Sequence, residues 1–342
     1  MKNLKLPILT FLMLSSFELW PQIGGQNTYQ FLNLPVSPRH AALGGKNVTL
    51  NNYDPSSALN NPALINDAMD NHLGLNYMNF VGDINYGTAS YAYFFDRRTR
   101  VIQGGITYIN YGSFDGFDEN ANPTGDFSGS EAALSVGYQQ QLGRSDFYLG
   151  ANAKFISSRL EQFSSFGVAT DIGLSYKNEY SNLIISTVVR NLGFQLKPFN
   201  EIREDLPLEV IFGISQKLDK LPFRWHITLE NLQEWNIAFG NTARDEVDLS
   251  GNITEDDPGF FANVFRRTII GIEFFPDSGF NIQLGYNVRR GEELRIEDQR
   301  SFAGLSGGIS IKLNKIRLNY SYTRFNRAAN TSFFGVSIDL SR

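Results

Sequence analysis

The chain has 342 residues, 30 Lys and Arg against 35 Asp and Glu, 31 Gly, 28 Phe, 15 Tyr and no Cys. With 19% charged and 13% aromatic residues it carries too little charge and too much apolar surface to remain disordered. The missing cysteines exclude disulfide scaffolds, thiol nucleophiles and thiolate zinc sites; the scattered His40, His72 and His226 make no metal set, and a net charge of -5 offers no basic face to nucleic acid. No metal, cofactor or nucleic-acid partner is expected.

Lys2 and Lys5 precede the apolar run Leu6 to Trp20, the pattern of a secretory signal peptide, and cleavage is expected near Gln22. The run is too short, and Glu18 too disruptive, for a membrane-spanning helix. Residues 23–70 do not alternate. They hold Pro35, Pro38, Pro55 and Pro62, the pair Gly44-Gly45 and Asn-rich runs at 51–54 and 60–61, yet Phe31, Leu32, Leu34 and Ala41 to Leu43 give them something to bury. From residue 72 the period becomes 2, as where Ile282, Leu284, Tyr286 and Val288 alternate with Asn281, Gln283, Gly285 and Asn287. Alternation alone suits both a soluble sandwich and a membrane barrel.

The pattern predicts strands near 72–80, 84–96, 99–112, 129–142, 146–159, 166–178, 182–193, 207–218, 222–232, 265–276, 279–290, 302–313, 315–325 and 331–342. That makes fourteen, an even number of mostly long strands, as single-chain outer-membrane barrels have. Connections on one side are all short, whereas the other side holds every long one, 113–128, 194–206, 233–264 and 291–301, matching short periplasmic turns and longer surface loops. Prolines after residue 70 fall in loops or at strand edges. Tyr91, Tyr93, Phe94, Phe95, Tyr108, Tyr111, Phe274 and Phe275 gather towards strand ends, as interfacial girdles do. The expectation is an all-β chain: a signal peptide at 1–22, a plug at 23–70 and a transmembrane antiparallel barrel of about fourteen strands at 71–342 in the outer membrane. Fourteen strands enclose more space than their own side chains fill, so Phe31, Leu34, Pro35, Gly44, Gly45, Asn61 and Pro62 are the expected plug residues.

Motifs for chemistry are weak. Gly304-Leu-Ser306-Gly-Gly308 has the spacing of a serine-hydrolase elbow but lies inside a strand with no helix after it, so close backbone packing is the expected role. Asp118 to Asp126 starts like a calcium loop, yet Pro123 stands at the turn and no Glu closes it. The 233–264 loop carries Asp245, Glu246, Asp248, Glu255, Asp256 and Asp257, a candidate partner-docking loop beside lipopolysaccharide; Arg289, Arg290, Arg295 and Arg300 neighbour it as contacts for phosphorylated sugars or for those acids. The chain is not expected to be an enzyme.

The stretch from Gly24 to Gly45, with Tyr29-Gln-Phe31-Leu-Asn-Leu-Pro35 and Ala41-Ala-Leu-Gly44-Gly45, resembles the PorQ family of the type IX secretion system of Bacteroidetes. The likeness continues through Asn61-Pro62-Ala63-Leu64, Asp83-Ile84-Asn85-Tyr86-Gly87, Arg190-Asn191-Leu192-Gly193 and Leu284-Gly285-Tyr286-Asn287, and departs in the long loops, notably 233–264. The resemblance implies a barrel related to PorV and FadL-type transporters. It implies an attachment complex with a PorZ-like surface protein, a PorU-like sortase and a PorV-like barrel, in which this chain anchors the surface partner while cargo is attached to lipopolysaccharide. The alternatives are a FadL-like diffusion channel for hydrophobic molecules and a PorV-like cargo shuttle.

Overall fold

In the computed structural model the described residues are 27–80, 82–96, 100–120, 122–234, 237, 246–247, 253–254, 259–293, 304–325 and 330–341. The signal-peptide reading, 1–22, lies outside them. Fourteen strands form one closed antiparallel sheet. They are β1 (His72–Asn79), β2 (Asn85–Asp96), β3 (Arg100–Phe117), β4 (Pro123–Gln141), β5 (Phe147–Leu160), β6 (Phe163–Asn178) and β7 (Leu183–Lys197). There follow β8 (Glu209–Lys217), β9 (Phe223–Leu229), β10 (Thr268–Phe274), β11 (Phe280–Asn287), β12 (Leu305–Leu313), β13 (Ile316–Thr323) and β14 (Thr331–Asp339). Each strand pairs with the next, and β1 closes the ring on β14 in the register His72↔Asp339 to Asn79↔Ser332.

The faces are reversed relative to a soluble protein. On β4, Glu131, Ser135 and Gln139 are buried while Leu134, Val136 and Tyr138 are exposed. On β5 and β6 the buried face holds Asn152, Lys154, Asp171 and Ser175, and the exposed face Leu149, Phe155, Ile172 and Leu174. The same holds across β11 to β13, where Gln283, Ser310 and Asn319 are buried and Leu284, Ile309 and Leu318 exposed. A sheet whose outer face is this apolar over its whole circumference is unstable in water and stable in lipid, and closure leaves no unpaired edge within the bilayer. The chain is an integral β-barrel of the outer-membrane type.

At the short-turn end the connections are tight: β12 joins β13 through Asn314 and Lys315 alone, with Asn314 in the left-handed region (φ 57°) that a two-residue hairpin needs. At the other end the expected map changes in four places. The 113–128 stretch is not a loop, because β3 and β4 keep pairing from Ser113↔Ser128 to Phe117↔Pro123, and Pro123 is the first residue of β4, where the ladder does not require its missing donor. Residues 194–197, read as loop, extend β7. β11 stops at Asn287, whose side-chain Oδ1 accepts the Arg290 amide (2.9 Å), so Val288–Glu293 turns into a helix instead of prolonging the strand. Within 233–264, Phe260–Arg266 is helical, and Glu246–Val247 pairs with Ile253–Thr254. Two expected girdle residues face inward: Phe94 packs on Ala58 and Ile65, and the Tyr111 hydroxyl donates to Glu131 (2.5 Å).

Ile172 sits on the lipid face of β6, opposite Ala151. Ile172→Arg is expected to lower barrel stability by about 2–4 kcal/mol in urea unfolding from lipid vesicles. A change below about 0.5 kcal/mol, the range of ordinary surface substitutions, would contradict the lipid-facing assignment.

Candidate functional site

The interior is the candidate site, and its chemistry is that of cross-linking. Residues 27–71 form only short helical turns: Gln30–Asn33, Pro38–Ala42, Ser57–Asn60, Pro62–Leu64 and Asp67–Met69. Between them the Asn and Asp side chains hold the backbone. Thr49 N donates to Asn47 Oδ1 (2.8 Å), Asp54 N to Asn52 (2.9 Å), Ser56 N to Asp54 (3.0 Å), Ala63 N to Asn61 (3.0 Å) and Ala68 N to Asn66 (2.9 Å). These two-residue side-chain turns explain the Asn richness of a stretch with no sheet or long helix to satisfy its amides. Burial pushes the Asp54 carboxyl up, and the Ser56 amide and hydroxyl pull it back. Burial, then the charges of Arg39 and Arg190, pull His40 down to about 3, so its ring is neutral where Nδ1 meets the Ser37 hydroxyl (2.9 Å).

The segment packs on inward-facing positions around the wall. Pro38–Ala42 lies against β11 to β14, and Pro62–Leu64 against β4 to β6. Its carbonyls are taken up by wall side chains: Leu32 O by Arg190 (2.7 Å), Val36 O by Thr88 (2.8 Å), Ala42 O by Ser306 (2.9 Å) and Ala58 O by Asn152 (2.9 Å). Such acceptors would otherwise be buried and unpaired, at a cost of about 1–3 kcal/mol each. Gly150 marks a close approach of the two backbones: a Cβ there would lie 2.3 Å from the Pro62 carbonyl carbon, and backbone cannot move aside as a side chain can. A cavity of about 10 Å³ lined by Leu32, Tyr86, Ser135, Lys154 and Arg190 is the size of one water.

Among the described residues, two ionic clusters join the segment to the wall and a third lies within the wall. Arg39 meets Glu273 at 2.6 Å, and Glu273 also contacts Arg224 (3.3 Å) and His226 (3.2 Å). Lys46 bridges Glu209 (2.6 Å) and Glu230 (3.3 Å), with Arg190 at 3.7 Å from Glu209. Lys154 pairs with Asp171 (2.7 Å) and donates to Asn191 (2.9 Å). Sequence reasoning missed all three, since Arg39, Lys46, Glu209 and Glu273 lie far apart in the chain; the available signal was charge placed on the polar face of a strand pattern.

The expected plug residues fall as follows. Phe31 is buried in an apolar cluster with Tyr29, Leu32, Met78, Tyr86, Ile109 and Phe333, and Leu34 packs on its edge. Pro35 is buried beside Gly45. Gly44 and Gly45 have φ of 97° and 113° and end the Pro38–Ala42 turn, with Gly45 N donating to His40 O (2.8 Å). Asn61 donates to Val48 O (2.8 Å) and caps the buried Pro62 turn. Of the candidate docking acids, Asp245, Asp248, Asp256 and Asp257 lie outside the described residues, as does Glu255, and only the backbone of Glu246 is described, paired with Thr254. Ser306 sits within β12, bonded to the Ala42 carbonyl as a packing contact. Asp118 accepts Asn120 N (2.9 Å), Asn122 N (2.8 Å) and Asn122 Nδ2 (3.0 Å), which makes it a turn cap. Arg289 pairs with Glu293 (2.6 Å), whereas Arg290 turns inward to Gly44 O (3.3 Å) and the Phe325 ring; Arg295 and Arg300 lie outside the described residues.

No family model matches the chain, and no curated protein sequence is similar to it. Among solved structures it is similar to the KdgM porin, at 8% identity and a TM-score of 0.33 over 79% of this chain and 99% of that one. It is similar to OpdK of Pseudomonas aeruginosa, solved with vanillate, at 9% identity and 0.27 over 78% and 97%. It is also similar to OprD of the same organism, at 8% and 0.25 over 78% and 91%. The barrel assignment stands on this chain's own strand pairing and reversed faces.

Glu273→Gln leaves the buried Arg39 guanidinium without its charge partner and is expected to destabilise the protein by about 3–5 kcal/mol. Adding Arg39→Met, which removes the stranded charge, is expected to recover a large part of that loss. Equilibrium unfolding of the two variants checks both; a Glu273→Gln change within about 0.5 kcal/mol would show that the pair does not hold the segment.

Proposed function

We propose that this chain anchors a surface protein at the outer membrane as a barrel component of the type IX secretion attachment complex. It would hold a PorZ-like partner beside a PorU-like sortase and a PorV-like barrel while cargo is processed and passed to lipopolysaccharide. The sequence likeness at Gly24 to Gly45 is what points to that complex. The observation that carries a static role is the cross-linked interior: buried ion pairs and wall-to-carbonyl bonds reach residues 27–71 from β2, β5, β7, β8, β10 and β12. A segment held this way serves as a plug that stiffens the barrel for load.

A diffusion channel for hydrophobic molecules needs an apolar path from end to end. The described apolar cluster around Phe31 and Phe333 lies towards the long-loop end, and below it the wall presents Ser90, Asn152, Asp171, Ser175 and Glu273. Polar groups along that route favour the anchoring reading over uptake.

A strain lacking this chain is expected to lose surface-retained cargo. The tagged protein, purified from native outer membranes in mild detergent, is expected to bring down a large surface protein and a sortase-like protease. Normal cargo retention together with impaired growth on long-chain lipids would contradict the anchoring reading and select the channel.

A further inference from the structure

The strand pairs that leave the membrane do so on one side. β3 to β7 have 18, 19, 14, 16 and 15 residues, against 7 to 9 in each of β8 to β14. About 9–11 residues suffice for a tilted strand to cross the bilayer, so this arc stands proud of it. The tallest part is the β3–β4 ribbon. β2 pairs with β3 no further than Asn85↔Asn110, and β5 pairs with β4 no further than Leu160↔Gly129, so among the described residues the ribbon above Ser128, whose carbonyl accepts Glu161 N (2.9 Å), has no neighbouring strand on either side.

At the foot of the ribbon β3 carries one extra residue. Between Asn110↔Ser130 and Ser113↔Ser128, Tyr111 and Gly112 stand against Gly129 alone, with Gly112 at φ 79°. The side-chain alternation of β3 therefore shifts relative to the wall below. Asp115 now faces outward directly opposite Asp126, and Phe114 faces inward opposite Phe127. The membrane wall is apolar outside and polar inside; the ribbon is acidic outside and aromatic inside, so its outer face meets water. Phe114 and Phe127 stack at 5.4 Å and remain 43% and 38% exposed. Leu160 and Phe163, opposite each other at the top of the next hairpin, continue the apolar surface at 39% and 46% exposure.

Charge selects the occupant. Residues 113–128 carry Asp115, Asp118, Glu119 and Asp126 and no Lys or Arg, and among the described residues no cation pairs with Asp115 or Asp126. Two carboxylates directly across a ribbon repel each other unless a cation comes between them. Lipopolysaccharide phosphates and anionic lipid would be repelled, and a second copy would bring the same acidic ribbon. A protein surface offering apolar contacts flanked by Lys or Arg satisfies both halves of the ribbon.

We propose that residues 113–128 form a docking arm at the long-loop mouth, which grips a basic protein partner through the Phe114–Phe127 pair and its flanking carboxylates. The proposal rests on the anchoring reading and gives it a surface. The test uses the full chain in intact cells, with Phe127 replaced by photo-reactive benzoylphenylalanine and Tyr93, on the lipid face, replaced likewise as control. The expected result is a protein adduct at position 127 only, joined through a Lys- or Arg-rich surface of that protein. The yield should fall about tenfold or more when Asp115→Lys and Asp126→Lys are combined. Heat-modifiable mobility on gels establishes that the reversed variant is a folded barrel, and Asp115→Asn with Asp126→Asn gives the same readout with a smaller loss if it is not. No adduct, an adduct with lipopolysaccharide or a second copy only, one that requires added calcium or magnesium, or one indifferent to charge reversal would overturn the proposal. If cargo stays on the surface of cells in which Phe114→Ser and Phe127→Ser are combined, the arm fails and anchoring stands. If cargo is retained without the chain altogether, anchoring fails whatever the adduct shows.

Discussion

A barrel turned inside out must find partners for a polar interior, and that requirement organises the rest of this molecule. The outer face is solved by lipid, which accepts Leu134, Ile172 and Leu284 as water would not. Inside, Lys154, Asp171, Glu209 and Glu273 are buried, and an unpaired charge there would be prohibitive. The chain answers with its own residues 27–71, an irregular stretch whose free carbonyls need donors as much as the wall needs acceptors. Each side supplies what the other lacks, so Arg190 bonds the Leu32 carbonyl and Asn152 the Ala58 carbonyl. Strand glycines such as Gly150 let the two backbones come close enough for this to work.

The proposed anchoring role rests on how that problem was solved. A channel keeps its interior wet and its contacts few, whereas here the wall is joined to the segment by ion pairs on β8 and β10 and by side-chain bonds on many other strands. Rigidity of this kind suits a barrel that carries load at its outer end. The tall arc of β3 to β7 places the exposed apolar surface at that end, beyond the depth a bilayer covers.

Much of the architecture was legible in the sequence because a barrel strand imposes a strict period of 2 and a turn breaks it. The fourteen strands and the tight connection at Asn314 follow from that. Strand ends were less legible, since the Ser113 to Ser128 stretch is rich in Gly, Asp and Asn, which read as loop while long-range pairing makes it a ribbon. The bulge at Tyr111-Gly112 was invisible, because one extra residue changes which face a side chain occupies without changing composition. The interior ion pairs were beyond reach for another reason. Arg39 and Glu273 are brought together only when residues 27–71 pack on the inner wall, and the acids singled out at 245–257 stood out by clustering, which marks solvated loops more often than contacts.

The most direct measurement of the central claim, that residues 27–71 are fixed to the inner wall, uses the absence of native cysteine. Ser56 and Ser90 face each other with hydroxyl oxygens 2.9 Å apart, one on the segment and one on β2. A chain carrying Ser56→Cys and Ser90→Cys, oxidised in native outer membranes, is predicted to form the disulfide nearly completely and to leave neither thiol open to a membrane-impermeant maleimide. Two free thiols, both labelled, would contradict the account.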